Sequence, residues 1–378
     1  MNATKIRVGI IFGGRSGEHE VSYCSATSII NAINKEKYAV IPIGITKDGK
    51  WISPNDTARA LQTGRIEGKS SVILLNDPSS KALIRINENC GPIKDSYLEK
   101  LDVIFPALHG PYGEDGTVQG LLELANIPYV GAGVAASAIS MDKDLMKTIF
   151  KQHELPILKW ITIKRKDWRK DKLKILSLIQ DNFKYPIFVK PTNLGSSVGI
   201  TKVHQKKELE KAIDLASSYD RKILIEEGAK DAREIECSVL GNDDPQVSVV
   251  GEVIPAKEFY DYDSKYIDKK TQLIVPADLP KVVSRKIQQI ALQAFKVIDA
   301  AGMARVDFFV TKKENKIYLS EINTIPGFTS VSMYPRLWEA SGISYSNLID
   351  QLIMLALERH QDKNENKTSY ESILLDQL

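Results

Sequence analysis

Residues 5–22, KIRVGIIFGGRSGEHEVS, decide the fold class. Ile6 to Phe12 form an apolar run of strand length that stops at Gly13 and Gly14, and a helical pattern follows from about Glu20 to Ile33. The run is too short for a signal segment or a membrane span and reads as a buried first strand. The strand AVIPIGI (39–45) and a turn at Asp48-Gly49-Lys50 come next, which is the opening of an open α/β sheet. Further on, the apolar strand VIFPAL from Val103 runs into HGPYGEDG and then into a helical TVQGLLELA. In such sheets ligands sit beyond the carboxyl ends of the strands, where Gly13 to Glu18 and His109 to Gly116 fall.

The chain has 378 residues, more than one core usually serves, so two or three domains with clefts between them are expected. With 43% hydrophobic and 26% charged residues and a net charge of +3, it has a globular composition and no global signature for nucleic acid. The locally basic KRKDWRKDKLK from Lys164 reads as a solvated helix face. Cys24, Cys90 and Cys237 are far apart and form no C-x-x-C pair, which argues against disulfides or zinc and for a reducing compartment. Nothing approaches a membrane-spanning run, so a cytoplasmic protein without membrane contact is expected.

A middle segment opens near Ala132 with a helix over DKDLMKTIFKQHEL, stopped at Pro156. The strand YPIFVK meets the glycine-rich PTNLGSSVGITKV, a charged helix KKELEKAIDLASS follows, and the strand KILIEE leads into a third segment. There, strands are expected at Glu234–Leu240 and Ser248–Ile254, then a polar aromatic loop FYDYDSKY and a long helix from about Val282. Two strands, ARVDFFV and KIYLSEIN, precede the loop TIPGFTSVSMYP, and the polar tail after His360 reads as loosely ordered.

Glu321 and Asn323 are two apart on an expected strand and so share a face. Asp307 lies in the strand before, so three oxygen donors converge, a set that suits Mg²⁺ beside nucleotide phosphates. Both carboxylates interrupt otherwise apolar strands, which favours a metal over a wet strand face. Lys190 ends a buried-looking strand before Asn193–Gly199, whose small residues let backbone N–H groups approach phosphate; a plain hairpin would also explain the glycines. The loop is not a Walker A sequence, nor does 13–17 carry a dinucleotide fingerprint. Phe259–Asp268 could close as a lid or be an ordinary loop. His109 could serve a ligand or a buried hydrogen bond, while Glu114, Asp115 and Glu18 could do no more than complement helix dipoles.

Together and in order, GGRSGEHEVS, HGPYGEDGT, SMDKDLMK, KPTNLGSSVGI, YDYDSKY, RVDFF and EINTIPGFTS resemble the D-alanine:D-alanine ligases of the ATP-grasp superfamily over roughly residues 5–357. The resemblance implies a three-domain α/β ATP-grasp fold: a Rossmann-like substrate-binding domain at 1–131, a central ATP-grasp domain at 132–225 and a catalytic domain at 226–378. It implies ligation of two D-alanines through a D-alanyl phosphate, for peptidoglycan precursors, with ADP and phosphate released. Lys143, Lys190 and Lys265 match its phosphate lysines; Glu226 and the backbone after it fall at adenine, Glu234 at the ribose, and Glu227 and Phe259 among the other nucleotide-binding positions. Asp307, Glu321 and Asn323 match the ligands of two Mg²⁺ ions, for which Mn²⁺ can substitute. Glu18 and His109 match residues that orient the first D-alanine, Arg305 and the Gly327 N–H the oxyanion site, and Ser332 and Met333 the second D-alanine. Glu18, Ser196 and Tyr266 match a hydrogen-bonded set that holds the lids shut. Tyr266 stands where D-lactate-using relatives usually have histidine, so a dipeptide is expected; D-alanyl-D-lactate or D-alanyl-D-serine ligation is the alternative. Ser320 departs from an apolar position near adenine. A homodimer is implied by the resemblance alone.

Overall fold

The computed structural model describes residues 4–63, 71–86, 97–255 and 271–367. Phe259, Lys265 and Tyr266 therefore lie outside the described residues, as do Cys90 and the far end of the polar tail.

Three sheets follow one another along the chain. The first contains β1 (Ile6–Gly13), β2 (Tyr38–Ile45), β3 (Trp51–Ile52), β4 (Ser71–Leu74), β5 (Ala82–Ile86), β6 (Tyr97–Lys100) and β7 (Val103–Pro106), in the order β6-β5-β4-β3-β2-β1-β7. Only β2, β1 and β7 run parallel, and they are the apolar strands that the sequence marks; β3 to β6 form an antiparallel meander. The helix His19–Ala32 starts where β1 ends, so the loop at 14–18 emerges at the carboxyl edge of the parallel strands, next to the loop after β7.

The second sheet, β8 (Trp160–Lys164), β9 (Ile187–Pro191), β10 (Thr201–Val203) and β11 (Lys222–Glu227), is antiparallel in the order β10-β9-β11-β8. β11 stays in this sheet through Glu227, and the chain changes sheets over 228–231. The basic run from Lys164 forms short helices whose lysines reach solvent. Trp168 anchors them in the core, its Nε1 donating to Asp214 at 2.7 Å.

The third sheet is antiparallel: β12 (Ala232–Gly241), β13 (Gln246–Ile254), β14 (Gln272–Ile274), β15 (Gly302–Thr311) and β16 (Ile317–Asn323), ordered β14-β13-β12-β15-β16. Its core includes Met146 and Phe150 from the helix Lys143–Gln152, so this helix bridges the second and third sheets instead of packing within a middle unit. Asp142 caps it, accepting from the Asp144 and Leu145 N–H groups.

The last helix, Tyr345–Lys363, returns to the first sheet: Leu348, Ile349, Leu352 and Ile353 share a core with Val8, Ile10 and Phe12. Arg359 fastens it there, donating to the carbonyls of Gly131 and Tyr129 with its guanidinium 4.4 Å from the Tyr129 ring centroid. Arg359→Met is expected to cost about 1–3 kcal/mol in urea unfolding, because two backbone acceptors lose a charged donor; an unchanged midpoint would refute that. Among the described residues no helix is long and apolar enough to cross a membrane.

Candidate active site

Strand register places the acidic set. In β15 and β16, Asp307 lies opposite Glu321 and Arg305 opposite Asn323, while Glu236 of β12 faces Asp307 from the other side. Alternation puts Arg305 and Asp307 on one face, as it does Glu321 and Asn323. The Arg305 guanidinium forks onto Asp307 with two bonds of 2.7 Å and sits 3.0 Å from Glu236. Asn323 Nδ2 donates to Asp307 at 3.1 Å. Burial acts against the Arg305 charge, but Asp307 and Glu236 outweigh it and hold the group well above its ordinary range. Glu236 was not singled out from the sequence, although its alternation with Glu234 in an otherwise apolar strand was the available signal.

Among the described residues no three His, Cys, Asp or Glu side chains form a preassembled metal cluster. The set here is two carboxylates and an amide on neighbouring strands, an all-oxygen donor group in which Asp307 already needs a cation. Arg305 supplies that charge in this geometry. The donors fit a hard divalent ion.

Two cavities meet at these residues. One of about 440 Å³ lies between the second and third sheets, with Lys143, Lys190, Glu226, Glu227 and Glu234 in its wall together with Ser197 and Ser320. The other, about 640 Å³, is lined by Glu18, His109, Ser196, Arg305, Gly327, Ser332 and Met333, among others. Glu236 and Glu321 line both, so the cavities join beside Asp307. Lys143 Nζ donates to the Leu194 carbonyl at 2.9 Å and lies 3.6 Å from Glu321. Lys190 Nζ is 2.6 Å from one Glu226 oxygen, and Lys147 contacts the other.

Glu18 is the N-cap residue of its helix, but its side chain makes no cap hydrogen bond; it accepts from the Ser196 hydroxyl instead. That contact ties the 193–199 loop to the first sheet. Ser196 and Ser197 hold positive φ angles of 50° and 58°, a left-handed turn that aims the Ser196 hydroxyl inward. Gly110 is required where it stands: its φ is +74°, and a Cβ there would lie 2.5 Å from Ser16 Oγ and 2.7 Å from Glu18 Oε2.

His109 Nδ1 lies 3.1 Å from the Ile325 carbonyl, which can only accept, so Nδ1 carries the proton and Nε2 accepts from Ser25 at 2.9 Å. Burial lowers its pKa, so the imidazole is neutral near pH 7. Asp115 stands just before Gly116, the N-cap of the helix Thr117–Leu124, where its charge can complement the helix dipole as expected, and it accepts from Thr117 N at 3.0 Å.

Glu114 does not share that role. Its carboxylate accepts from Gly110 N at 2.9 Å and faces the same cavity as Glu18; burial, then the Glu18 charge, push it up to about 8. Between the ordinary 4.5 and about 8 the folded chain holds a proton that the unfolded chain has lost, so this group makes stability fall as pH rises across that window. Glu114→Gln keeps the acceptor and removes the titration. Urea melts from pH 5 to 9 are expected to lose a slope of up to about 1.4 kcal/mol per pH unit, and parallel curves for the two proteins would contradict this.

A nucleotide-sized cavity with Lys143 and Lys190 in its wall, joined at Glu236 and Glu321 to a second pocket lined by Glu18 and Arg305, is the layout of an enzyme that brings a nucleotide to a small zwitterion. Comparison with known proteins agrees. Residues 7–132 match the family model described as D-ala D-ala ligase N-terminus, and 149–354 the one described as D-ala D-ala ligase C-terminus. The D-alanine--D-alanine ligase of Natranaerobius thermophilus is 50% identical over 367 residues, 97% of this chain and 99% of that protein. That of Acetivibrio thermocellus is 50% identical over 371 residues, covering 95% and 97%. Among solved structures, the D-alanine-D-alanine ligase from Coxiella burnetii superposes with a TM-score of 0.81 at 37% identity, covering 96% of this chain and 97% of that one. The VanG D-Ala:D-Ser ligase from Enterococcus faecalis gives 0.81 at 36%, covering 93% and 100%. The chain belongs to the D-alanine:D-alanine ligase family, with its ATP-grasp fold and its use of ATP and a divalent metal.

Proposed function

We propose that the protein joins two D-alanine molecules into D-alanyl-D-alanine for peptidoglycan precursors, consuming ATP and releasing ADP and phosphate. The observation that carries this reading is the junction of the two cavities at Glu236 and Glu321, where a nucleotide's terminal phosphate and an amino acid's carboxylate would meet.

In this reading Glu226 and the backbone after it receive the adenine, Glu234 receives the ribose, Glu227 and Phe259 stand among the other nucleotide-binding positions, and Lys143, Lys190 and Lys265 receive the phosphates. Asp307, Glu321 and Asn323 would hold the divalent metal, two magnesium ions or manganese. Bound metal supplies charge neutralisation at the phosphates. Glu18 and His109 orient the first D-alanine so that its carboxylate attacks the γ-phosphorus in line, a step governed by positioning and charge. The neutral amine of the second D-alanine, seated by Ser332 and Met333, then attacks the acyl phosphate. Arg305 and the Gly327 N–H stabilise the tetrahedral oxyanion as phosphate leaves. The Glu18–Ser196 contact, extended to Tyr266, keeps water from the acyl phosphate.

The division into units at 1–131, 132–225 and 226–378 stands as our proposal. A cytoplasmic homodimer with no nucleic-acid or membrane partner completes the proposal and rests on family likeness. The likeness to the VanG D-Ala:D-Ser ligase supports a second reading in which D-serine is the second substrate; D-lactate is the remaining alternative and is disfavoured by Tyr266.

The test is D-alanine-dependent phosphate release from ATP, with the product weighed by mass spectrometry and D-serine, D-lactate and L-alanine run in parallel. D-Alanyl-D-alanine as main product is expected. A different adduct would move the assignment to the second reading, and no phosphate with any acceptor would end the ligase assignment.

A further inference from the structure

The helix Lys143–Gln152 carries lysines at four-residue spacing, Lys143, Lys147 and Lys151, of which the first two are buried. Lys143 reaches the cavity wall at Leu194 and Glu321. Lys147 goes elsewhere: its side chain is 2% exposed, and it contacts one oxygen of Glu226, which is also 2% exposed. The other Glu226 oxygen is held by Lys190 at 2.6 Å, whose side chain is 12% exposed and lines the 440 Å³ cavity. One buried carboxylate thus has two cations, one at the cavity and one behind it.

We propose that Lys147 is a positioning residue that keeps Glu226 charged and fixed while Lys190 exchanges from Glu226 onto the nucleotide's phosphates. The inference rests on the reading of this cavity as the ATP site. A buried carboxylate left with no cation is strongly penalised. If Glu226 had Lys190 alone, moving that lysine to a phosphate would strand the charge, so Glu226 would retain the lysine and oppose nucleotide binding. With Lys147 in place, one cation remains after the exchange. Burial works against the Glu226 charge, but Lys147 and Lys190 together hold its carboxyl below the ordinary range, in keeping with a carboxylate that stays ionised. It then remains an acceptor at the base end of the cavity. Lys147 itself touches no substrate in this arrangement; it acts only through Glu226.

The experiment compares wild type, Lys147→Met, Glu226→Gln and the double variant Lys147→Met/Glu226→Gln in steady-state assays with ATP and D-alanine varied separately. Lys147→Met is expected to raise the KM for ATP at least tenfold, with kcat within threefold and the KM for D-alanine unchanged. In the double variant no buried carboxylate needs a cation, so its KM for ATP is expected to match that of Glu226→Gln alone. A Lys147→Met protein with its KM for ATP within twofold of wild type overturns the proposal, as do equal losses toward both substrates or additive losses in the double variant. Should the single variant not fold, the double variant is expected to fold and to match Glu226→Gln; its failure to do so also overturns the proposal. Wild-type protein without ATP-dependent turnover would instead remove the ligase reading, a result distinct from all of these.

Discussion

Arg305→Lys is expected to lower kcat by about 10²–10³, the usual cost of losing one well-aimed donor to a developing oxyanion, while ATP binding changes little. A lysine keeps the charge but cannot reproduce the fork that spans Asp307 and reaches Glu236. Arg305→Met should lose at least as much turnover and, in addition, stability. It removes the cation from two carboxylates whose side chains are 16% and 10% exposed. Stranding buried charge in this way costs about 3–5 kcal/mol. The two effects separate in one experiment: urea melts without ligand report the stranded carboxylates, and saturating kinetics report the oxyanion site. Divalent metal should restore part of the Arg305→Met stability, because a cation at Asp307 replaces the missing charge. Arg305→Met turning over within tenfold of wild type would remove the oxyanion role.

Gly110→Ala is the second large effect. The new methyl group would meet Ser16 Oγ at 2.5 Å and Glu18 Oε2 at 2.7 Å, from a backbone with φ of +74° that L-residues resist. The backbone strain alone is worth about 1–2 kcal/mol. The functional loss should be larger, because Glu18 must move and its bond to Ser196 moves with it. Displacement of a positioning group by about 1 Å costs roughly 100-fold, and that is the expected fall in kcat/KM for D-alanine. Gly120→Ala serves as control, since it lies within the helix Thr117–Leu124 with nothing within 4 Å of its Cβ position; it should stabilise the protein by about 0.5–1 kcal/mol. Comparable D-alanine kinetics for the Gly110 and Gly120 variants would mean that Glu18 is not held as described.

What the sequence discloses divides by range. Period-two alternation sufficed to place Glu321 beside Asn323, and the antiparallel return of two consecutive strands brought Asp307 opposite Glu321, as expected. The parallel strands of the first sheet were legible for the same local reason, their unbroken apolar runs. The antiparallel meander from β3 to β6 was not, because its strands are short and mixed in character. From its neighbours Glu18 reads only as complementing a helix dipole; its bond to a serine 178 residues away is expected from the family resemblance and not from local pattern. Glu114 and Asp115 are adjacent in sequence, yet Asp115 faces the first turn of a helix and Glu114 turns into a cavity, a difference that burial makes and spelling does not. Lys147 carried a signal, its four-residue spacing from Lys143, but an amphipathic helix explains that spacing equally well. Ser332 and Met333, matched to the second substrate, do line the 640 Å³ cavity, whereas Phe259, Lys265 and Tyr266 lie outside the described residues.

The return of the last helix to the first sheet has a consequence during synthesis. Val8, Ile10 and Phe12 leave the ribosome early, but Leu348, Ile349, Leu352 and Ile353, which complete their core, are made more than three hundred residues later. At ordinary elongation rates of 5–20 residues per second that interval is on the order of tens of seconds. During it the helix His19–Ala32 covers only part of the apolar face of the parallel strands, through Ala26 and Ile29, so the nascent chain is expected to engage holdase chaperones. A stop between Met333 and Leu348 is expected to yield a fragment prone to aggregate even though the site residues up to Met333 have been made.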